Sequence, residues 1–380
     1  MRLVVYTDSV YRKIDGVVYG EIAFTLFLGA LAEEINELTV IGRLDPGTGP
    51  AHYPLPDGVR FIGLPHYASL TRPLDVLSSL GRSLRLFWHA LGSNDRAWLF
   101  GPYLHAQLFA LLAMLRRRQV VLGVRQDFPA YVRSRRPSMR WMHLVADLLE
   151  LGWRSLARLE PVVVVGPDLA ANYRRAKRVL PIAVSLISAA DVQAGERAAQ
   201  RDYGHELALL SVGRLEEEKN PLLLADVLSR LHADDPRWHL VVCGDGPLAG
   251  PLAERLAALG VAGAAQLRGH VPLHEGLLEL YRVSHVFLHV SWTEGLPQVL
   301  TEAFASGVPV VATAVGGVSS AVGEAALLVG AGDAQAAAQA VARIASDAAL
   351  RSRLVSAGFA QARAHTLDRE IKLVADFLCA

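Results

Sequence analysis

The chain of 380 residues has few cysteines and no long apolar run. Cys243 and Cys379 are its only cysteines, which excludes a disulfide scaffold and a zinc site built from cysteines and favours a reducing compartment. The longest apolar stretch, residues 103–115, is interrupted by polar side chains and is shorter than the roughly 20 residues that span a bilayer. The first ten residues become polar at Asp8, too early for a signal peptide. We therefore expect a cytoplasmic protein without an integral membrane segment.

Charge is also scarce and almost balanced, because 38 Lys and Arg face 37 Asp and Glu, a formal net charge of +1. Residues 1–188 nevertheless carry 23 basic and 15 acidic side chains, whereas residues 189–380 carry 15 and 22. Such asymmetry is typical of a protein whose basic half meets an anionic partner. Arginines scattered over a solvated surface would give the same count, so both interpretations stay open at this point.

Short β-branched runs alternate with segments of helical periodicity along the whole chain. Apolar strands separated by helices of ten or more residues predict parallel sheets joined by right-handed crossovers. Two such series predict an α/β protein with two doubly wound, Rossmann-like domains, residues 1–188 and 189–360, followed by a C-terminal helix over residues 361–380. The predicted strands are Leu3–Tyr6, Leu38–Ile41, Trp98–Phe100, Val120–Val124, Val162–Val165, Ala208–Val212, His239–Cys243, Gln266–Arg268, Val286–His289 and Pro309–Ala312.

The most informative segment is residues 291–307, SWTEGLPQVLTEAFASG, which follows a predicted strand. Ligands of open α/β sheets bind at the carboxyl ends of the strands. Pro297 suits the first turn of a helix, so the amides of residues 296–299 would point outward as an anion site. Glu294 in the loop and Glu302 in the helix lie on either side of that site. This pattern suits a nucleotide-sugar, which is anionic in the middle and carries hydroxyls at both ends.

Two further loops follow predicted strands of the second half. In GRLEEEKN, Arg214 and Lys219 are cations suited to a diphosphate, with pairing of Lys219 to the preceding glutamates as the alternative. Residues 243–250, CGDGPLAG, are similar to a dinucleotide-binding turn, but Pro247 removes an amide donor there. No acidic residue ends a strand about 20 residues later, as that fingerprint requires. We interpret the segment as a tight turn.

The order of motifs GRL-x3-KN, GDGPL, RGHV, S-x2-EGLP-x4-EAFASG-x-PVVAT and GG resembles the second domain of the retaining family-four glycosyltransferases of the GT-B fold. The resemblance covers residues 211 to about 330. It implies two Rossmann-like domains that face a cleft, with the acceptor on residues 1–188, a nucleoside-diphosphate sugar on residues 189–360, and the C-terminal helix packed back on the first domain. It also implies sugar transfer with retention of anomeric configuration and without a divalent metal or other cofactor.

The resemblance assigns roles to individual residues of this chain. Arg214 and Lys219 would hold the donor diphosphate and offset the charge of the leaving group, and Glu294 would contact hydroxyls of the transferred sugar. Glu302 would bind the ribose hydroxyls. The backbone of His270 and Val271 would contact the base. The backbone of Gly295, Leu296 and Pro297 would contact the sugar and the phosphates, and Gly16 would let the loop of the first domain approach the phosphates closely.

Two features of the first half depart from the pattern of that family. The first loop has one glycine, Gly16, where many members have two adjacent ones. At the end of the predicted strand 120–124 many members have a histidine, but this chain has Arg125, followed by Asp127. We hypothesise that Asp127 contacts donor or acceptor hydroxyls while Arg125 orients it. A purely structural Arg–Asp pair at the end of the strand is an equal alternative.

The arginines at 116–118 and 133–140 favour a glycan or lipid-linked acceptor, or the anionic inner face of the cell membrane, as partner of the first domain. The apolar spacing of residues 74–88 favours a core-facing helix over an interfacial one. Nucleic acid is disfavoured, because the arginines lack interleaved aromatics. Together with the resemblance, these features predict a peripheral enzyme of polysaccharide, lipopolysaccharide or glycolipid synthesis. A catalytically silent nucleotide-sugar-binding subunit, a nucleotide-sugar epimerase and a hydrolytic relative are the alternatives; the 243–250 turn disfavours an NAD-dependent oxidoreductase.

Overall fold

A computed structural model describes residues 1–47, 49, 51–67 and 72–380. The chain forms two compact units, the first made of residues 1–184 and 369–380 and the second of residues 185–368. The expected boundaries, 188/189 and 360/361, differ from these divisions by a few residues. The second division lies later than expected because the amide of Leu367 donates to the carbonyl oxygen of Ile187 at 2.7 Å, within the second unit.

A nine-stranded sheet forms the centre of the first unit. Its strands are β1 (Arg2–Ile14), β2 (Val17–Gly20), β3 (Glu37–Leu44), β4 (Tyr53–Pro54), β5 (Arg60–Pro65), β6 (Arg96–Gly101), β7 (Gln119–Val124), β8 (Val162–Val165) and β9 (Val179–Ile182). The parallel part runs in the order β5-β3-β1-β6-β7-β8-β9. Strands β3 and β5 therefore lie on one side of β1, and strands β6 to β9 lie on its other side. In such sheets ligands bind beyond the carboxyl ends of the two strands where the direction changes.

Strand β1 is much longer than the predicted strand 3–6, because it leaves the parallel sheet and folds into a hairpin. Its register with β3 shifts between Tyr6 and Val10, and residues 11–14 pair with β2 in antiparallel orientation. Asp15 and Gly16 have φ values of 48° and 89° and form the two-residue turn. Asp-Gly is favoured there because both positions of this turn need positive φ.

The helices of the first unit before the second unit begins are α1 (Phe24–Glu34), α2 (Pro73–Ser93), α3 (Leu104–Leu115), α4 (Phe128–Arg135), α5 (Arg140–Ala157) and α6 (Pro167–Asn172). The prediction that the leucine stripe of residues 74–88 faces the core is wrong for Leu74 and Leu77, which are 78% and 52% exposed. The face of α2 that is buried instead consists of Val76, Ser79, Ser83, Phe87, Ala90 and Leu91. Serines can occupy it because their hydroxyls donate to carbonyl oxygens one turn earlier.

The second unit contains a six-stranded, wholly parallel sheet. Its strands are β10 (Leu207–Val212), β11 (Trp238–Cys243), β12 (Ala265–Leu267), β13 (Val286–His289), β14 (Val310–Thr313) and β15 (Ala326–Val329), in the order β12-β11-β10-β13-β14-β15. Its helices are α7 (Ala189–Ala198), α8 (Leu222–Asp234), α9 (Ala249–Ala258), α10 (Leu278–Val283), α11 (Gln298–Ala305), α12 (Val318–Val322), α13 (Ala334–Ser346) and α14 (Ala348–Ala364). The direction changes between β10 and β13, which is the ligand-binding position of a Rossmann sheet.

The C-terminal helix, α15 (Leu367–Cys379), returns to the first unit, as the resemblance implies. The buried carboxylate of Glu370 accepts the amide of Ala183 at 3.1 Å, and the guanidinium of Arg178 lies 4.7 Å from the ring centre of Phe377. None of the helices among the described residues combines the length and the apolar character needed to cross a membrane.

Candidate functional site

Two loops meet at the carboxyl edge of the second sheet, one after β10 and one after β13. The β10 loop spans residues 213–220 and the β13 loop residues 290–297. The amide of Trp292 donates to the carbonyl oxygen of Glu218 at 2.8 Å, which ties the loops together. The sequence motifs that contain Arg214, Lys219 and Glu294 therefore lie side by side at the switch point of the sheet.

Glu294 is the centre of this site. Its Oε1 accepts Nζ of Lys219 at 2.6 Å, the hydroxyl of Ser291 at 2.7 Å and Nε2 of His289 at 2.9 Å. Burial alone would raise the pKa of this carboxyl, but the hydrogen bond from His289 and the charge of Lys219 lower it to about 2. Glu294 is therefore an ionised hydrogen-bond acceptor at neutral pH.

The two predicted cations of the β10 loop have different partners. Nη1 and Nη2 of Arg214 donate to Glu216 and Glu218 at 2.7 and 2.6 Å, and its side chain is 57% exposed. Lys219 pairs with Glu294 across the loops and not with the glutamates that precede it in sequence, so the alternative raised for Lys219 is wrong. The two cations thus belong to separate ion-pair groups, both in loops that adjoin the switch point.

The glycine turn 243–250 supports the β10 loop from one side. A Cβ atom at Gly244 would lie 1.9 Å from the carbonyl oxygen of Gly213, and one at Gly246 would lie 2.5 Å from that of Leu215. The amide of Leu215 donates to the carbonyl oxygen of Asp245 at 2.8 Å. Glycine is needed at both positions because the backbones of the turn and of the Arg214 loop approach so closely.

The loop after β14 supports Glu294 from the other side. A Cβ atom at Gly316, where φ is +49°, would lie 2.0 Å from the carbonyl oxygen of Glu294. The hydroxyl of Thr313 donates to the carbonyl oxygen of Ser291 at 2.8 Å. The main chain around Glu294 is therefore fixed by a neighbouring strand and its following loop.

Helix α11 begins at the end of the β13 loop, with Pro297 as its N-cap residue and not in its first turn. Gly295 is exposed and Leu296 partly exposed, so the backbone before the helix is accessible. Glu302 is only 7% exposed and accepts the hydroxyl of Tyr281 at 3.0 Å. Burial raises the pKa of Glu302 to about 7, although the hydrogen bond from Tyr281 acts in the opposite direction. Its carboxyl thus changes charge near neutral pH.

His270 and Val271 lie in the segment between β12 and α10. The amide of His270 donates to Oδ2 of Asp245 at 2.9 Å, and Gly269 before it has a φ of +66°. The carboxylate of Asp245 thus holds this backbone next to the glycine turn. Recognition of a base by the backbone of His270 and Val271 stays a prediction, as do the ligand contacts of the other residues named from the sequence.

The site residues predicted in the first unit occupy three different places. Gly16 is in the β1–β2 hairpin turn, where its positive φ explains the glycine without a ligand. Asp127 is the N-cap of α4 and accepts the amide of Ala130 at 2.9 Å. Arg125 lies over the ring of Phe24 at 5.2 Å, and among the described residues it forms no ion pair with Asp127. The structural Arg–Asp pair considered as an alternative is therefore wrong, whereas capping by Asp127 is observed.

Sequence reasoning missed a cluster around Asp8 at the carboxyl edge of the first sheet. Its carboxylate accepts the hydroxyls of Tyr6, at 3.0 Å, and of Tyr67, and lies 3.4 Å from Nε of Arg43. Burial and the nearby Asp8 raise the pKa of Tyr103 to about 12. The available signal was the position of Asp8 two residues after the apolar run 3–6. The corresponding signal in the second half was the position of His289 and Ser291 just after the run 286–288. Groups of three or more His, Cys, Asp or Glu side chains placed to hold a metal ion do not occur within the described part of the chain.

Comparisons with known proteins match the second unit by sequence and the whole chain by fold. The family described as "Glycosyl transferases group 1" matches residues 193–361. A D-inositol 3-phosphate glycosyltransferase of Geodermatophilus obscurus is 41% identical over 141 residues, which is 34% of this chain and 31% of that protein. The chain thus aligns with about a third of the length of that curated relative.

Solved structures resemble the chain over its full length. Anabaena HepE in complex with UDP has a TM-score of 0.69 at 15% identity and covers 100% of both chains. Sucrose-phosphate synthase of Thermosynechococcus elongatus has a TM-score of 0.70 at 20% identity and covers 100% of this chain and 98% of that one. The likeness concerns the fold, and it agrees with two Rossmann-like units. Residues 193–361, which contain Lys219, Glu294 and Glu302, therefore match the group 1 glycosyl transferases, on a chain whose fold of two Rossmann-like units is the one expected from its sequence.

Proposed function

We propose that the protein is a retaining glycosyltransferase that moves a sugar from a nucleoside-diphosphate sugar to a hydroxyl group of a glycan or lipid-linked acceptor. The observation that carries this proposal is the Lys219–Glu294 pair, with 2.6 Å between Nζ and Oε1, at the switch point of the second sheet. A cation and an ionised carboxylate in adjacent positions suit the diphosphate and the sugar hydroxyls of such a donor.

The reaction needs stabilisation of charge on the departing diphosphate. As the bond between the anomeric carbon and the phosphate oxygen breaks, negative charge grows on the diphosphate while the sugar becomes oxocarbenium-like. The ammonium of Lys219 has three donors and the guanidinium of Arg214 five, so each retains donors beyond those given to its glutamate partners. Fixed cations aimed at that charge lower the barrier without reorganisation. The acceptor oxygen bonds to the anomeric carbon on the same face, and its proton passes to the departing diphosphate oxygen.

The two glutamates suit different parts of the donor. Glu294 is ionised and anchored by His289 and Ser291, so its position is fixed before a sugar hydroxyl donates to it. Glu302, deeper in α11, would accept the ribose hydroxyls. Because its pKa is about 7, a ribose that donates to it would favour the ionised form, and donor binding would strengthen as the pH rises through that range.

The acceptor is proposed to bind at the Asp8 cluster of the first unit. That cluster lies where β1 leaves its parallel pairing with β6, just beyond Tyr6, and ligands of this kind of sheet bind beyond the carboxyl ends of the parallel strands. Its carboxylate, guanidinium and tyrosine hydroxyls are bonded to one another and largely buried, so a polyhydroxylated acceptor would bind at the margin of the cluster. The surplus of eight positive charges on residues 1–188 supports a lipid-linked acceptor at the inner face of the cell membrane. This would place the reaction in polysaccharide, lipopolysaccharide or glycolipid synthesis.

The donor assignment is tested by a thermal-shift panel of UDP, GDP and ADP with their sugars. One of these nucleotides should raise the melting temperature, since a ligand at 100 times its Kd stabilises the native state by about 2.7 kcal/mol. Lys219→Ala should weaken the binding of that nucleotide at least tenfold. Lys372→Ala, on the exposed side of α15, should bind the nucleotide as tightly as the parent. A panel in which no nucleotide shifts the parent would refute the donor site.

Turnover separates the enzyme from a silent binding subunit. With the identified donor and a glycan acceptor, NMR of the product should show the anomeric configuration of the donor, and EDTA should leave the rate unchanged. Nucleotide binding without transfer to any acceptor in a membrane extract would favour the silent subunit. An inverted product would contradict the proposed mechanism.

A further inference from the structure

Helix α5 has a second apolar face that the first unit does not bury. Met142, Ala146 and Trp153 on one side pack into the unit. On the opposite side the spacing i, i+3, i+4, i+7 and i+10 brings five apolar side chains to a single face, which we call the α5 stripe. These residues are between 43% and 61% exposed: Trp141, Leu144, Val145, Leu148 and Leu151. A contiguous apolar stripe of this kind marks an interaction surface.

A groove of about 600 Å³ adjoins one end of the stripe, since Leu151 lines it as well. Four arginines, which we call the arginine groove, line its walls: Arg154, Arg158, Arg174 and Arg175. Arg154 is paired with the buried Glu150 at 2.7 Å. The other three form no ion pair with any residue that the structure describes. The groove is therefore strongly cationic, directly beside exposed leucines.

We propose that the α5 stripe and the arginine groove form one docking surface for a bilayer that contains anionic phospholipids. The inference rests on the membrane-side location proposed above and names the surface that would provide it. The stripe would enter the boundary between headgroups and acyl chains, as amphipathic helices do, while the arginines contact lipid phosphates. Neither the arginines at 116–118 nor the exposed leucines of α2 is required.

Charge favours a bilayer over a second copy of this chain. A symmetric dimer across the α5 stripe would bring two arginine grooves to the same interface, and like charges at an interface oppose association. A bilayer with phosphatidylglycerol supplies both an apolar layer and phosphates at the depth of the headgroups. An anionic bilayer is therefore the partner that can contact the α5 stripe and the arginine groove at the same time.

The test is flotation of the full chain with vesicles of phosphatidylcholine and phosphatidylglycerol in a two-to-one ratio. The parent should float, and less so at high salt. Leu144→Gln with Leu148→Gln should reduce the bound fraction at least tenfold. Replacing Arg158, Arg174 and Arg175 by Gln should weaken binding about fivefold per residue and remove most of the salt dependence. Control variants on the second unit, Val283→Gln and Arg343→Gln with Arg353→Gln, replace exposed residues of the same types and should float like the parent.

Two further measurements keep the outcomes separate. All variants should keep the nucleotide-induced thermal shift of the parent, which shows that they fold and that the donor site is independent of the docking surface. A parent that does not float, or a stripe variant that floats like the parent, overturns the proposal even if nucleotide binding is intact. A dimer in light scattering that the stripe variant converts to a monomer assigns the surface to a second copy and likewise overturns it. Loss of the nucleotide shift in the parent would contradict the proposed function alone.

Discussion

Replacing Glu302 by Gln should change how the stability of the protein depends on pH. The buried carboxyl has a pKa of about 7 in the folded chain, against 4.5 when unperturbed. Between these values the native state holds a proton that the unfolded chain has released, so stability falls as the pH rises through the window. This shift in pKa corresponds to a loss of about 3 kcal/mol in the free energy of unfolding. The loss is complete above about pH 8 and absent below about pH 4. Gln keeps an acceptor for the hydroxyl of Tyr281 but has no charge to desolvate.

Urea denaturation at a series of pH values measures this effect as the difference between parent and variant. Glu302→Gln should gain about 3 kcal/mol relative to the parent between pH 4 and 8. Glu254→Gln, on the exposed side of α9, should follow the parent at every pH. Tyr281→Phe removes the hydrogen bond that lowers the pKa of Glu302, so its stability should fall more steeply with pH than that of the parent. Parallel curves for the parent and Glu302→Gln would refute the argument that burial controls this carboxyl.

Substitutions at four other positions test the supports of the site and the fold. Gly316→Ala should cost about 1–3 kcal/mol in urea denaturation and weaken nucleotide binding in calorimetry, because its Cβ would meet the Glu294 carbonyl at a positive φ; unchanged affinity would contradict the support we assign to that loop. Asp127→Ala should lower the free energy of unfolding by about 1 kcal/mol because the α4 cap is lost, whereas Asp127→Ser should keep the cap. A Ser variant with normal stability but reduced kcat/KM would assign Asp127 to the chemistry. Leu77→Ala should change the free energy of unfolding by less than about 0.5 kcal/mol, whereas Phe87→Ala should lower it by about 3–5 kcal/mol, since only Phe87 is buried. Equal losses would contradict the buried face that we assign to α2.

The sequence allowed the sheets to be predicted because most of their strands are short apolar runs buried on both faces. Each of the ten predicted strands overlaps a strand of the structure. Ends such as Arg268 and Pro309 differ by one residue, whereas β1 is much longer than predicted. Strands β2, β4, β5, β9 and β15 were not predicted. They include very short segments and a hairpin partner, whose pairing depends on neighbours and not on local composition.

The candidate site was predictable where motifs follow strands, since parallel topology brings the carboxyl ends of strands together. Lys219 and Glu294 are 75 residues apart and still form an ion pair. The Asp8 cluster was not predicted, because Arg43 and Tyr67 reach it only through the tertiary packing of β3 and the segment after β5. The α5 stripe was not predicted either, because a helix with two apolar faces looks in sequence like a buried one.

The return of α15 to the first unit makes the second unit an insertion within the first. The contacts of Glu370 with residue 183 and of Arg178 with Phe377 connect segments nearly 200 residues apart. During synthesis, residues 185–368 are complete before α15 has been made, whereas the first unit still lacks one of its helices at that time. Domains fold as units while the chain emerges, so the second unit can acquire its final packing first and the first unit closes last. A chain that ends at residue 368 and is held on the ribosome by a linker long enough to span the exit tunnel should therefore carry a protease-resistant second unit beside a first unit that is still open to cleavage.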